Sequence, residues 1–219
     1  MNQPVEITVV RLGKHHSAQL YLDVATLHIR QIAQGALSRL GPKLLARIYR
    51  EIALQSGSGL WVALDGTTVA GFISGCRDTR TTFRKVILKT LVALAMFAAG
   101  MLFRFRLMQF LRIMLYPLRK GTSSSHASAV CTGIRAELLS VVVSDDYQKR
   151  GLGKLLLDTV DDTMREWNVP GFYRVASDLS VAGSQQFYLR SGFQPCHTLT
   201  LNDTVLQVYI KEIPGTEIG

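Results

Sequence analysis

Glu6 to Leu12 (EITVVRL) alternates apolar and polar positions with a period of two, the pattern of a half-buried strand. In SAQLYLDVATLHIRQI the period changes, and Leu20, Val24, Leu27 and Ile32 recur at helical intervals. A second helix is predicted after Gly41, with Pro42 at its first position and Leu44, Leu45, Ile48 and Ile52 on one face. LWVALDGTTVAGFISG reads as a hairpin, two β-rich runs around Asp65-Gly66. Further along, AELLSVVV predicts a strand, followed by a helix from about Gly151 to Trp167 that Asn168, Pro170 and Gly171 stop. FYRVASD predicts another strand, GSQQFYLRSGF a short helix closed at Gly192, and TVLQVYIKEI a last alternating strand. Strands and helices interleave throughout, which predicts an α/β (α+β) fold with no internal repeat.

The segment between these halves has another character. From Arg77 to Gly133 there are ten basic residues and one acid, Asp78, while the remaining 15 basic and 15 acidic residues cancel. The whole net charge of +9 therefore sits in one segment, which is also the most apolar. Thr90 to Phe103 is continuously apolar, but at 14 residues it falls short of the roughly 20 that a bilayer-spanning helix needs. Arg104 and Arg106 lie about 200° apart on a helix, so one amphipathic helix is a poor description, and two shorter helices broken near Gly100 or Pro117 fit better. Three roles remain open for it: contact with an anionic membrane through residues 84–119, a partner or dimer surface, or an internal lid. Nucleic acid is not the expected partner, because the cations are embedded in aliphatic sequence without the polar and stacking context usual there.

Composition adds bounds. With 219 residues, 47% hydrophobic and only 19% charged content and a mean hydropathy of +0.18, the chain is expected to be one ordered domain over 1–219, interrupted by an insertion at 77–133. Cys76, Cys131 and Cys196 show no CxxC spacing, and each is expected to be a small buried hydrophobe. With no signal-peptide core in MNQPVEITVVRLGKHH, they predict a reducing, cytoplasmic location, at most at the inner face of a membrane. The five histidines, including His15-His16 in an expected exposed turn and His197, show no ligand spacing, so no metal is expected.

Candidate chemistry centres on SDDYQKRGLGKLLLDTV, Ser144 to Val160. A strand ending near Val143 and a helix starting near Gly151 leave backbone N–H groups around Gln148 to Lys154 without helical partners, at the positive end of a helix dipole. Such a terminus suits a phosphate. Gly151 and Gly153 remove Cβ atoms where an anion would approach, and Lys149, Arg150 and Lys154 add charge. The loop lacks the spacing of a Walker A motif and of a dinucleotide fingerprint, and an ordinary glycine turn is the competing reading.

Gln148-Lys149-Arg150-Gly151-Leu152-Gly153 resembles the [QR]-x-x-G-x-[GA] pyrophosphate loop of the GNAT superfamily of acetyl-CoA-dependent N-acetyltransferases. FYLRSGF, Phe187 to Phe193, resembles the F-Y-x-x-x-G-F segment of that family, and the β, α, α, β, β order of the first half is similar too. The resemblance covers everything but Arg77 to Gly133. It implies a mixed, mostly antiparallel sheet of six to seven strands flanked by helices, and acetyl-CoA as cosubstrate. It further implies that residues 148–154 bind the pyrophosphate, and that the backbone of Val141 and Val143 tracks the pantetheine arm beside a splayed strand. The Val143 N–H would then polarise the thioester carbonyl.

Two acid–base roles are implied in the same way. Glu137 lies eleven residues before Gln148, where some relatives carry a glutamate base. Simple alternation would put it on the face of Leu139, Val141 and Val143, an apolar setting that raises a carboxyl pKa; pairing with Arg135 or facing solvent is the alternative. Tyr188 is the position from which many relatives protonate the departing thiolate, and a core aromatic is its alternative. Two departures stand out: Val181 replaces a common Asn, and Ser184 a common Ala, so Ser184 is a candidate for part of the missing cofactor contact. The acceptor implied is a primary amine, that of a small molecule such as an amino sugar or glycan precursor or that of a protein; a catalytically weak membrane- or partner-binding module is the reading from another class.

Overall fold

The computed structural model describes residues 6–33, 37–97, 131, 133–201 and 204–213. The expected helix breaks near Gly100 and Pro117, and the placement of Arg104 and Arg106, lie outside the described residues.

Strand β1 (Ile7–Arg11) leads to helix α1 (Ala18–Gln31), whose start is fixed by Ser17, its hydroxyl accepting from the Leu20 N–H. Ile32 falls just past the last turn and is 37% exposed, so the apolar face ends earlier than its spacing predicts. Helix α2 (Pro42–Ala53) begins with proline at its first turn, and β2 (Ser58–Asp65) and β3 (Thr68–Cys76) form the expected hairpin. Gly66, at φ +58°, supplies the left-handed residue its two-residue turn needs. Helix α3 (Thr79–Phe97) precedes β4 (Glu137–Val143), and α4 (Leu152–Glu166), β5 (Phe172–Asp178), α5 (Ala182–Arg190), β6 (Gln194–Leu201) and β7 (Thr204–Glu212) complete the order.

The seven strands form one sheet in the order β1-β2-β3-β4-β5-β7-β6, in which the β4–β5 neighbours are parallel and every other pair antiparallel. Strand β6 has no separate signal in the alternation of QPCHTLTL, because Pro195 opens it and an irregularity between Pro195 and His197 shifts the register.

Each face of the sheet carries its own core. On one, Val24, Leu45, Ile48 and Tyr49 of α1 and α2 pack on Leu60, Val62, Phe72 and Val142. On the other, Leu156, Leu157, Val160 and Met164 of α4 pack on Ala63, Ile73 and Leu138. Each such side chain contributes on the order of 1.5–3 kcal/mol through removal from water. The basic, apolar segment is not wholly an appendage. Helix α3 starts eleven residues before the apolar run at Thr90, and its Val86 and Ile87 join the α1/α2 core. Arg84, Lys85, Leu88 and Lys89 face outward, Leu88 being 66% exposed.

Candidate active site

β4 is paired differently along its two edges. Against β3 the ladder runs its whole length, from Cys76↔Glu137 to Gly71↔Val143. Against β5 it consists of Glu137↔Arg174 and Leu138↔Val175 alone, closed by the Arg174 N–H donating to Ala136 O at 3.0 Å. From Leu139 onward the strands diverge. The Ser144 N–H donates to Ala70 O at 2.9 Å, so antiparallel alternation directs the Val142 N–H to β3 and those of Val141 and Val143 into the split. The Val143 carbonyl turns the same way and accepts from Gln148 Nε2 at 3.2 Å. Gln148 thus reaches back to brace the strand end, with Asp145 Oδ1 as second acceptor at 3.0 Å.

The loop continues the split. After a single 3-10 turn (Asp145–Tyr147), Lys149 at φ +60° and Gly151 at φ +80° bend the chain into α4. The first helical bond runs from the Leu155 N–H to Gly151 O, 3.1 Å, and among the described residues no side chain caps the terminus. The N–H groups of Leu152, Gly153 and Lys154 therefore lack helical acceptors at the positive end of a 15-residue helix. Tyr147 anchors the loop by donating to Asp65 Oδ2 at 2.6 Å, and the Arg150 guanidinium lies 5.9 Å from the Tyr147 ring centre. Ile7, Tyr147, Arg150, Gly151, Leu152 and Leu155 line a cleft of about 290 Å³ beside it.

The two loop glycines have different roles. A Cβ on Gly151 would meet nothing within 4 Å, but the left-handed backbone needs glycine there. A Cβ on Gly153 would lie 3.1 Å from the Phe187 ring, so its missing side chain makes room for α5 rather than for an anion. This contact joins the loop motif to FYLRSGF. Lys149 and Arg150 are exposed, whereas Lys154 already pairs with Asp158 at 2.8 Å. Leu152 is buried under the loop and offers only its backbone.

Glu137 does not share the face that simple alternation assigns. The register shifts between Ser74 and Gly75, so that Ser140 faces Ser74 but Leu138 faces Gly75, and Leu139 is the extra residue. The bulge puts Leu138 with Val141 and Val143 on the α4 side, and Glu137 with Ser140 and Val142 on the α1/α2 side. There Glu137 Oε2 accepts from Arg174 Nη2 at 2.8 Å, Arg174 Nε at 3.0 Å and Thr79 Oγ1 at 2.9 Å. Arg135, the expected partner, pairs with Asp78 instead. Among the described residues Oε1 carries no such contact, and the side chain is 17% exposed.

Tyr188, on α5, is buried among Phe187, Phe193 and Tyr209, with ring centres 5.3–5.6 Å apart. Burial, reinforced by Tyr209, pushes its phenol well above the usual range, so it stays protonated at neutral pH. Ser184 is engaged locally, its Oγ 2.7 Å from Ser177 Oγ and donating to Val181 O at 2.7 Å. It joins α5 to β5.

Two groups have no sequence signal. His28 of α1 and Tyr49 of α2 are buried side by side, with Tyr49 Oη 2.6 Å from His28 Nδ1 and 3.2 Å from Ser140 Oγ on β4. Burial pushes the His28 pKa down to about 4 and the Tyr49 phenol far up, so both are neutral at pH 7. Their only trace in the chain is a polar residue next to Leu27 and to Ile48 on apolar helix faces. The cysteines form the second group. Cys76 is the buried hydrophobe expected of it, its thiol pushed up to about 12 by burial and then by the charge of Glu137. Cys131, buried as expected, and the half-buried Cys196, 65 residues apart, are joined in a disulfide, so neither is the simple hydrophobe expected of it. With His197 they bring three ligand-type atoms within 4.8 Å of one another, a grouping that spacing along the chain does not register.

The site thus combines a seven-stranded mixed sheet, a split beside its fourth strand and, among the described residues, an uncapped helix terminus after it. The profile of the Acetyltransferase (GNAT) family matches residues 26–193, and the chain belongs to that family of acyltransferases, which use acetyl-CoA. No curated protein matches it in sequence. In structure it is similar to a GNAT-family acetyltransferase of Desulfovibrio desulfuricans, with TM-score 0.56 and 13% identity over 95% of this chain and 99% of that one. An acetyltransferase of Staphylococcus aureus Mu50 gives 0.54 and 14% over 95% and 99%. The ribosomal-protein-S18-alanine N-acetyltransferase of Escherichia coli gives 0.55 and 13% over 98% and 97%. At these identities the likeness is one of fold. Among the described residues no helix is long and apolar enough to cross a membrane.

Proposed function

We propose that the chain transfers the acetyl group of acetyl-CoA to the primary amine of a small molecule, an amino sugar or glycan precursor being the acceptor class. The observation that carries this is the unpaired edge of β4, Val141 to Val143, running into the uncapped N-terminus of α4. In this reading the Val141 and Val143 backbone holds the pantetheine arm, and the N–H groups of Leu152, Gly153 and Lys154 meet the pyrophosphate, with Lys149 and Arg150 beside them. The Val143 N–H stabilises the oxyanion that forms when the amine attacks the thioester carbon. Gln148 fixes the strand end, and Lys154 adds charge while held by Asp158. Glu137 takes the amine proton on Oε1, the oxygen that Arg174 and Thr79 leave available. Tyr188 gives its proton to the departing thiolate, and Ser184 keeps α5 on β5 so that Tyr188 stays in reach.

Glu137 and Ser140 on the α1/α2 side supply a carboxylate for an amine and a hydroxyl for a neighbouring sugar hydroxyl, which supports a small polyhydroxylated acceptor. The outward cations of α3 around Leu88 support contact with an anionic membrane, measurable by co-sedimentation with phosphatidylglycerol vesicles against phosphatidylcholine controls. The deciding experiment is CoA release across a panel of amino sugars, alkylamines and peptide N-termini. Turnover fastest with amino sugars supports the proposal. Turnover confined to peptides overturns the acceptor, and acetyl-CoA binding without turnover on any amine overturns the enzyme in favour of a binding module.

A further inference from the structure

A disulfide joins elements on either side of the β4–β5 boundary. Cys131 lies six residues before β4, and Cys196 lies in β6, beyond β5 and β7. Among the described residues the half of the sheet from β1 to β4 and the half made of β5, β7 and β6 are laddered at Glu137 and Leu138 and linked by Arg174, and a Cys131–Cys196 connection adds a covalent tie between those halves. Cys196 sits where the β6 register shifts between Pro195 and His197, and the bulge re-aims it. Gln207 Nε2 holds that bulge by donating to His197 O at 3.1 Å and to Val208 O at 3.0 Å.

A crosslink alone leaves His197 unexplained. Its Nδ1 is buried with no hydrogen-bond partner among the described residues, an unsatisfied polar atom that costs stability. That nitrogen belongs to the residue next to the bulged cysteine, and the Cys131, Cys196 and His197 ligand atoms all lie within 4.8 Å of one another. Around a tetrahedral zinc ion with bonds of about 2.0–2.3 Å, neighbouring donors stand about 3.5–3.8 Å apart, a change that small side-chain rotations accommodate.

We propose that, with its disulfide reduced, the chain holds one thiophilic divalent cation, of the zinc type, on Cys131 Sγ, Cys196 Sγ and His197, with water at a fourth position. The balance is simple: a thiol or phosphine reductant supplies two electrons, two protons complete the thiols, and the cation then displaces both protons as two thiolates bind. Two thiolates neutralise the dication, and the imidazole contributes as a neutral donor. The binding claim itself stands whether or not the chain acetylates amines.

Cobalt(II) titration of the full chain, reduced with a phosphine under anaerobic conditions, tests it. One cobalt per chain with a thiolate charge-transfer band in the near ultraviolet, displaced by zinc, is expected. Cys196→Ser should weaken binding more than 100-fold and His197→Ala at least tenfold, with Cys76→Ser unchanged. In the unaltered chain, zinc should slow alkylation of Cys131 and Cys196 but not of Cys76. Absence of the band, an unaltered affinity in His197→Ala, or equal zinc protection of all three thiols would overturn the proposal, the last two as signs of an adventitious ion only.

Discussion

The two ends of β4 are built in opposite ways. At Glu137 and Leu138 the strand has neighbours on both edges, and the Glu137 carboxylate is gripped by Arg174 and Thr79. At Val141 and Val143 it has a neighbour on one edge, and nothing from β5 meets the other. What the open end lacks in the sheet it receives from the helix layer beneath, where His28 and Tyr49 hold Ser140. A backbone site for a ligand needs unpaired N–H groups in a chain that cannot move. In the proposed reading the closed end and the His28–Tyr49–Ser140 group supply that rigidity, and the open end supplies the groups.

Replacing Val143 with proline removes the N–H that points into the split and no ladder bond to β3. Turnover should fall about 10²–10³-fold in a CoA-release assay with the fold retained; a loss under threefold would mean the open edge is not the oxyanion site. The support beneath is the next largest effect. His28 has a folded pKa of about 4 against 6.5 unfolded, so protons favour the unfolded chain. Its contribution is complete above pH 6.5, declines as pH falls from 6.5 to 4, and totals on the order of 3 kcal/mol. Urea midpoints across that window should drop in the unaltered chain and drop less in His28→Gln. Tyr188→Phe should lower turnover by about 10²-fold with acetyl-CoA affinity nearly unchanged, measured by calorimetry. At the closed end, Arg174→Met strands a half-buried Glu137 and should cost about 1–2 kcal/mol in thermal unfolding, a smaller loss than for a deep ion pair.

Much of this was legible in the chain. Periodicity placed α1, α2, the β2–β3 hairpin and α4, because each buries one regular face. The loop was legible because Gly151 must take a left-handed backbone, which leaves a glycine in the sequence. Bulges erased the rest. One extra residue at Leu139 moved Glu137 to the other face of the sheet, and one at Cys196 hid β6 and the approach of Cys131. The His28–Tyr49–Ser140 group comes from three distant elements, and such a meeting has no period to read.

Amide hydrogen exchange with and without acetyl-CoA tests the open edge most directly. Slowed exchange is predicted at Val141 and Val143 and at Leu152, Gly153 and Lys154, with β1 and β2 unchanged. Acetyl-CoA binding that leaves those five amides as they were would contradict the assignment of the split and the helix terminus as its site.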